Sequence, residues 1–369
     1  MRDFERILLI KPSSLGDIIH ALPVLDGLRT RFPAATIDWL IGTAFAPLLA
    51  GHPLISNLIP FDRRRYGRMT RSARASADFL QFASDLRRRR YELVIDLQGL
   101  FRSGFLAWCT RAPVRIGFHD AREAARLFYT HRIRPPQGDM HAVEKNYLVA
   151  DPLGFGEHPI RFPLNLDPQV HANIERMLLN PNVMSDQPRL VIAPGARWET
   201  KLWPAARFAE TINAITASQS CRCILVGGKD EVDLCHAVAQ QCQAPPINLC
   251  GQTTLPELSA VISRADAVIC HDSAVAHLAA AFDRALVCLT GPTNPRRTGP
   301  YGHLDDVLRL DIPCSPCYFR KLSQCPHEHR CMRELQVADV VAALRSRLTN
   351  SVSTATQSVR TVSKRPMIH

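Results

Sequence analysis

At 369 residues the chain is long enough for two domains, each with its own core. Its composition, 46% hydrophobic and 21% charged, is that of an ordinary globular protein, and no apolar run reaches the roughly 18 residues of a membrane span. A net charge of +11, mostly from arginine, points to acidic partners: nucleic acid, anionic lipid or phosphorylated ligands.

The chain enters a short apolar run at residues 7–10, too short for a signal-peptide core and without a small-residue cleavage site. This predicts a cytoplasmic protein whose twelve cysteines stay reduced or bind metal. Residues 7–10 read as a strand, 17–31 as a helix ending near Pro33, and 36–41 and 55–60 as strands. An amphipathic helix follows at 73–90, then a buried strand at 93–97. Strand–helix alternation of this kind predicts a parallel sheet with helices on both faces. Prolines 159, 163, 168, 181 and 188 then break the pattern, with one short helix between them. The alternation restarts with strands at 190–193, 223–226, 267–270 and 286–289, and helices beginning near Pro204, Asp230, Leu255 and Ser273. A last helix is expected at 337–348. The predicted organisation is therefore one α/β domain at 1–160, a connector at 161–188, a second α/β domain at 189–349 and a disordered tail at 350–369. Two doubly wound domains of this type would face each other across a cleft, with ligands at the carboxyl ends of the strands.

Four motifs fall at predicted strand ends. Lys-Pro-Ser-Ser-Leu-Gly-Asp at 11–17 follows the first strand. Gly16 permits a tight turn, and Asp17 falls in the first turn of the next helix, where the helix dipole favours the ionised carboxylate. Such a group can serve as a general base, or simply as a helix cap. The stretch Ala-Pro-Gly-Ala-Arg-Trp-Glu-Thr-Lys-Leu-Trp-Pro at 193–204 puts Arg197 and Lys201 in a loop, within reach of a diphosphate. Cys-His-Asp-Ser-Ala-Val-Ala-His at 270–277 opens a helix at Asp272 or Ser273. Its backbone N–H groups form an anion site, and His277 lies one turn further along the same face. The rigid loop from Gly291 to Tyr301, with Thr293 and two arginines, also suits a diphosphate. After the 223–226 strand, Asp230 or Glu231 could hold a ribose diol.

In this order and spacing the motifs resemble glycosyltransferase family 9, the heptosyltransferases. The stretch from Tyr91 to Leu100, with Arg115-Ile-Gly-Phe118, is most similar to the heptosyltransferase I branch. The resemblance spans about residues 6 to 347. It implies a GT-B fold, α/β, with an acceptor-binding N-terminal and a donor-binding C-terminal Rossmann-like domain. It further implies ADP-L-glycero-D-manno-heptose as donor and inverting transfer that requires no metal cofactor. Asp17 matches the catalytic base. Donor binding is assigned to Arg197, Lys201, Asp230 or Glu231, Asp272, Ser273, Ala274, His277 and Thr293. Ala274 stands where the family usually has glycine, and Arg197 where it has threonine. Acceptor binding is assigned to Ser14, Gly16, Arg63, Arg64, Arg68, Gln98 and Arg122. Six arginines in residues 61–74 suit the carboxylates and phosphates of a Kdo-lipid A acceptor, and contact with the anionic inner membrane.

Cys314, Cys317, Cys325 and Cys331, with His327 and His329 as alternatives, could hold a structural zinc or iron, or could be reduced loop cysteines. The missing Gly-x-Gly-x-x-Gly argues against a dinucleotide-dependent oxidoreductase. The charge is not organised as a recognition helix and has no aromatic stacking set, so nucleic acid is not an expected partner.

Overall fold

The computed structural model describes residues 3–66, 72–178 and 187–354. The chain forms two compact units that divide between Asn165 and Leu166.

The first unit is built on six strands: β1 (Arg6–Ile10), β2 (Thr36–Gly42), β3 (Asn57–Phe61), β4 (Leu93–Asp96), β5 (Val114–Phe118) and β6 (His131–Ile133). They pair in the order β3-β2-β1-β4-β5-β6, all parallel. Covered on both faces, β1 is apolar and buried at every position from Ile7 to Ile10, where a half-exposed strand would alternate. The helix expected over 17–31 is two helices, Leu15–Ile19 and Leu22–Arg31. Pro23 has no N–H to continue the first helix and instead sits in the opening turn of the second.

Two of the motif residues near the sheet centre are structural. The Tyr91 hydroxyl donates to buried Asp38 at 2.6 Å. Gly117 lies against the Tyr129 ring, so that a Cβ there would come within 2.3 Å of it.

The second unit repeats the plan with β7 (Arg189–Ala193), β8 (Arg222–Leu225), β9 (Ile247–Asn248), β10 (Ala267–His271), β11 (Ala285–Leu289) and β12 (Val307–Leu308). The order is β12-β11-β10-β7-β8-β9, again all parallel. In each unit the order reverses beside the first strand, between β1 and β4 and between β7 and β10. This is the doubly wound topology whose ligands sit beyond the strand carboxyl ends at the reversal.

The stretch expected as a connector carries a helix at Pro168–Leu178, and residues 179–186 lie outside the described residues. The last helix, Val337–Thr354, runs past the expected end at 348, because neither proline nor glycine interrupts the sequence before Pro366. The rest of the expected tail, 355–369, lies outside the described residues. Among the described residues no helix is long and apolar enough to cross a membrane.

Candidate functional site

At the first reversal point the loops after β1 and β4 are tied together. Lys11, buried, donates from Nζ to the Leu97 carbonyl at 2.7 Å, and the Ser13 N–H reaches Gln98 Oε1 at 3.3 Å. Asp17 lies in the opening turn of Leu15–Ile19. Its Oδ2 accepts from the Ser14 N–H at 2.8 Å and from the Ser14 hydroxyl at 2.7 Å. Its Oδ1 lies 3.7 Å from Lys11 Nζ, while the side chain stays 44% exposed. The carboxylate is therefore a helix cap that is also open to a ligand. Burial lowers the Lys11 pKa, and the nearby charges of Asp17 and Asp96 oppose it. Asp96, fully buried at the end of β4, accepts from the Tyr129 hydroxyl at 2.6 Å and from the Gln98 and Gly99 N–H groups. Burial pushes its carboxyl up against those hydrogen bonds.

Among the described residues, Arg122, Gly16 and Arg63 sit on the same sheet edge. The Arg122 N–H donates to the Gly99 carbonyl at 3.0 Å, which sets this exposed arginine beside the Gln98 loop. Gly16 is buried in its helix. Arg63 is exposed just after β3, whereas its neighbour Arg65 is held by Asp78 at 2.8 Å. Arg68 and the Arg64 side chain lie outside the described residues.

At the second reversal point Asp272 is the centre. It is buried, yet its Oδ2 accepts from Lys201 Nζ at 2.7 Å and from the Thr293 hydroxyl at 2.6 Å. Lys201 also donates to the Asp272 carbonyl at 2.8 Å, so two of its three N–H groups are committed. Burial alone would push the Asp272 carboxyl up. The Lys201 ammonium, His277 and the hydrogen bonds from Lys201 and Thr293 outweigh it and hold the carboxyl below its ordinary range. Three loops, after β7, β10 and β11, thus meet on one carboxylate.

Ser273 is the N-cap of the helix Ala274–Ala281 but makes no capping hydrogen bond. Its Oγ is buried without a partner. A buried hydroxyl left this way costs about 1–3 kcal/mol, and at a helix N-terminus an anionic oxygen would satisfy it. Ala274 is half-buried beside it.

Of the two acids after β8, Glu231 turns to the site. Its carboxylate accepts from the Gly228 N–H at 2.7 Å and lies where a Gly195 Cβ would meet it at 2.0 Å. Asp230 and Arg197 are exposed.

The four cysteines expected as a ligand set lie in a segment that braces the β7 loop. His329 Nε2 pairs with the Thr200 carbonyl at 2.7 Å, and Leu322 N–H donates to Glu199 at 3.0 Å. None of the four is in a disulfide. Cys331 is buried with its sulfur against Gly291, and Cys314, Cys317 and Cys325 are half-buried. Burial, then the nearby Cys317, Cys325 and Cys314, push the Cys331 thiol up to about 11. Among the described residues no group of three or more His, Cys, Asp or Glu side chains is placed to hold a metal ion. The remaining cysteines are mostly core residues, as in β8, β10 and β11.

The sequence reading missed His271, which holds the β7 loop to β10. It is fully buried; its Nε2 accepts from the Trp203 N–H at 2.8 Å, and its Nδ1 lies 3.3 Å from the Gly195 carbonyl. The first contact requires a bare Nε2, so the ring is the neutral Nδ1–H tautomer. Burial lowers its pKa to about 4. A depressed histidine stabilises the fold above its unfolded pKa, and that stability is lost as pH falls toward the folded value. His271→Gln, which can keep both hydrogen bonds, is expected to flatten the loss of stability between pH 6.5 and 4. Denaturant titrations across that range should show the slope falling by about 1.4 kcal/mol per pH unit. An unchanged slope contradicts the assignment.

The profile of glycosyltransferase family 9 (heptosyltransferase) matches residues 79–327. Lipopolysaccharide heptosyltransferase 1 of Pseudomonas aeruginosa is 31% identical over 333 residues, which cover 88% of this chain and 89% of that protein. Lipopolysaccharide heptosyltransferase 3 of Escherichia coli is 33% identical over 288 residues, covering 76% and 81%. The solved structure of Escherichia coli heptosyltransferase WaaC with ADP matches with a TM-score of 0.69 at 26% identity, over 93% of this chain and 99% of that one. With two parallel six-stranded sheets and these relatives, the chain belongs to glycosyltransferase family 9, the heptosyltransferases, and is a GT-B glycosyltransferase.

Proposed function

We propose that the protein transfers L-glycero-D-manno-heptose from ADP-heptose to the Kdo-lipid A inner core of lipopolysaccharide, at the cytoplasmic face of an anionic membrane, with no catalytic metal. The donor half rests on one observation above all. The unpartnered Ser273 hydroxyl stands at a helix N-terminus beside the Asp272–Lys201 pair, in which Lys201 gives two N–H groups to Asp272 and lies 4.8 Å over the Trp198 ring. A diphosphate would satisfy the hydroxyl and meet the Lys201 ammonium, and the helix N-terminus would add the positive potential that a metal supplies elsewhere. Glu231, aimed at the β7 loop, is the acid for the ribose. The solved relative WaaC carries ADP, which supports an adenine nucleotide.

On the acceptor side Asp17 takes the proton of the attacking hydroxyl. The hydroxyl oxygen forms the new bond to the anomeric carbon, the bond from that carbon to the phosphate oxygen breaks, and ADP leaves. Attack opposite the leaving group inverts the anomeric configuration. Arg63, Arg64, Arg68 and Arg122 would read the acceptor's carboxylates and phosphates. A second reading keeps this donor half with another acceptor, either a later lipopolysaccharide position or a protein. It is favoured by the 33% identity to a heptosyltransferase 3.

Calorimetric titration of the purified protein with ADP, UDP and GDP tests the donor half. ADP is expected to bind at least about tenfold more tightly than the others, a difference of about 1.4 kcal/mol. Equal affinities for all three would remove the adenine assignment.

A further inference from the structure

The helix Phe101–Cys109 carries Phe101, Phe105 and Trp108 at positions i, i+4 and i+7, on one face. In a protein interior that stripe would be covered. Here Phe101 is 49% exposed and Trp108 36% exposed. The rings form a continuous ridge. Phe101 and Phe105 stack at 6.2 Å with planes 3° apart, and Phe105 and Trp108 at 5.7 Å. Phe128 closes on Phe101 at 5.3 Å, and its neighbour Leu127 is 68% exposed.

Arginines surround this ridge. Residues 101–134 hold seven arginines and two acids. Arg102, Arg111 and Arg126 are exposed, and none is paired with an acid among the described residues. The Arg111 guanidinium lies 4.0 Å over the Trp108 ring.

We infer that this ridge is the surface by which the protein docks on an anionic lipid bilayer, with the aromatic rings entering the headgroup boundary and the arginines meeting lipid phosphates. Exposed aromatics in a basic rim are the composition of interfacial membrane contacts. A second copy of the chain fits poorly, because a twofold contact would set this arginine-rich rim against itself. The ridge is also continuous with the acceptor loop. Phe101 follows Gly99 by two residues, its N–H donates to Glu123, and the adjoining Arg122 N–H bonds to Gly99. The helix then leads away for about 13 Å at roughly 1.5 Å per residue. The use of such a surface rests on the lipid-borne acceptor proposed above, but its binding does not.

The test is flotation of the full-length protein with vesicles of phosphatidylglycerol and phosphatidylcholine, with neither donor nor acceptor present, so that failure of transfer cannot be mistaken for failure of docking. Wild type is expected to float with the mixed vesicles and far less with phosphatidylcholine alone. The variant Phe101→Ser/Trp108→Ser/Leu127→Ser should partition about tenfold less or worse. On the wild type, brominated acyl chains should quench the component of emission that is missing in Trp108→Phe. Circular dichroism and turnover on a deacylated acceptor should be unchanged in the triple variant. Equal flotation of variant and wild type, or no quenching of Trp108, overturns the inference. So does a wild type that ignores vesicles but dimerises through the ridge.

Discussion

Asp17→Asn should lower transfer by about a thousandfold while leaving the fold intact. The carboxylate caps its helix and is proposed as the base, and this substitution separates the two roles. An asparagine amide oxygen can still accept from the Ser14 N–H, which Asp17 does at 2.8 Å, so the cap survives. It cannot take a proton from an acceptor hydroxyl. Asp17→Ala removes both functions, with a further cost of about 1 kcal/mol in stability. If Asp17 were only a cap, Asn would retain activity and Ala alone would fail. Initial rates and melting temperatures of the two variants decide between the roles.

Lys201→Met is expected to have the largest effect on stability. It leaves the buried Asp272 carboxylate with the Thr293 hydroxyl but without its cation. Removing one partner of a buried ion pair costs about 3–5 kcal/mol. Adding Asp272→Asn removes the uncompensated charge, so the double variant should be more stable than Lys201→Met alone. ADP affinity should not recover with it, because the proposed phosphate contact of Lys201 is lost in both. A charge-assisted hydrogen bond is worth about 1.5–3 kcal/mol, or roughly a ten- to hundredfold loss.

Acid unfolding adds a signature. Asp272 is held below the ordinary carboxylate range, so its contribution is present above that range and is lost as pH falls through its lowered pKa. In Lys201→Met the carboxyl rises and that acid-sensitive contribution disappears, so the stability gap between variant and wild type should narrow as pH falls. Unchanged stability and ADP affinity in Lys201→Met would contradict the site.

The central strands were legible because parallel strands covered on both faces read as unbroken apolar runs, as in β1 and β10. The short edge strands β6, β9 and β12, of two or three residues, carry no such signal. The break at Pro23 needed more weight than the apolar periodicity that ran through it. Among the site residues, Asp17, Lys201, Asp272, Ser273 and Thr293 were legible as types suited to anions and protons at predicted strand ends. The strand order then explains why they gather at two reversal points. His271 and Lys11 stand within quoted motifs, yet their roles depend on contacts to the Gly195 and Leu97 carbonyls, distant in sequence. The choice of Glu231 over Asp230 required the loop geometry, since neighbouring acids are indistinguishable by type. The four cysteines of ligand-like spacing lie near one another, with Cys331 buried against Gly291 and Cys314, Cys317 and Cys325 half-buried.

The most direct test is transfer by the purified protein from ADP-heptose to Kdo2-lipid A, followed by mass spectrometry of the product. The account predicts addition of a single heptose with inverted anomeric configuration, lost in Asp17→Asn. Binding of ADP-heptose with no transfer to this acceptor, but transfer to a core that already carries heptose, would contradict the acceptor assignment and leave the donor site standing.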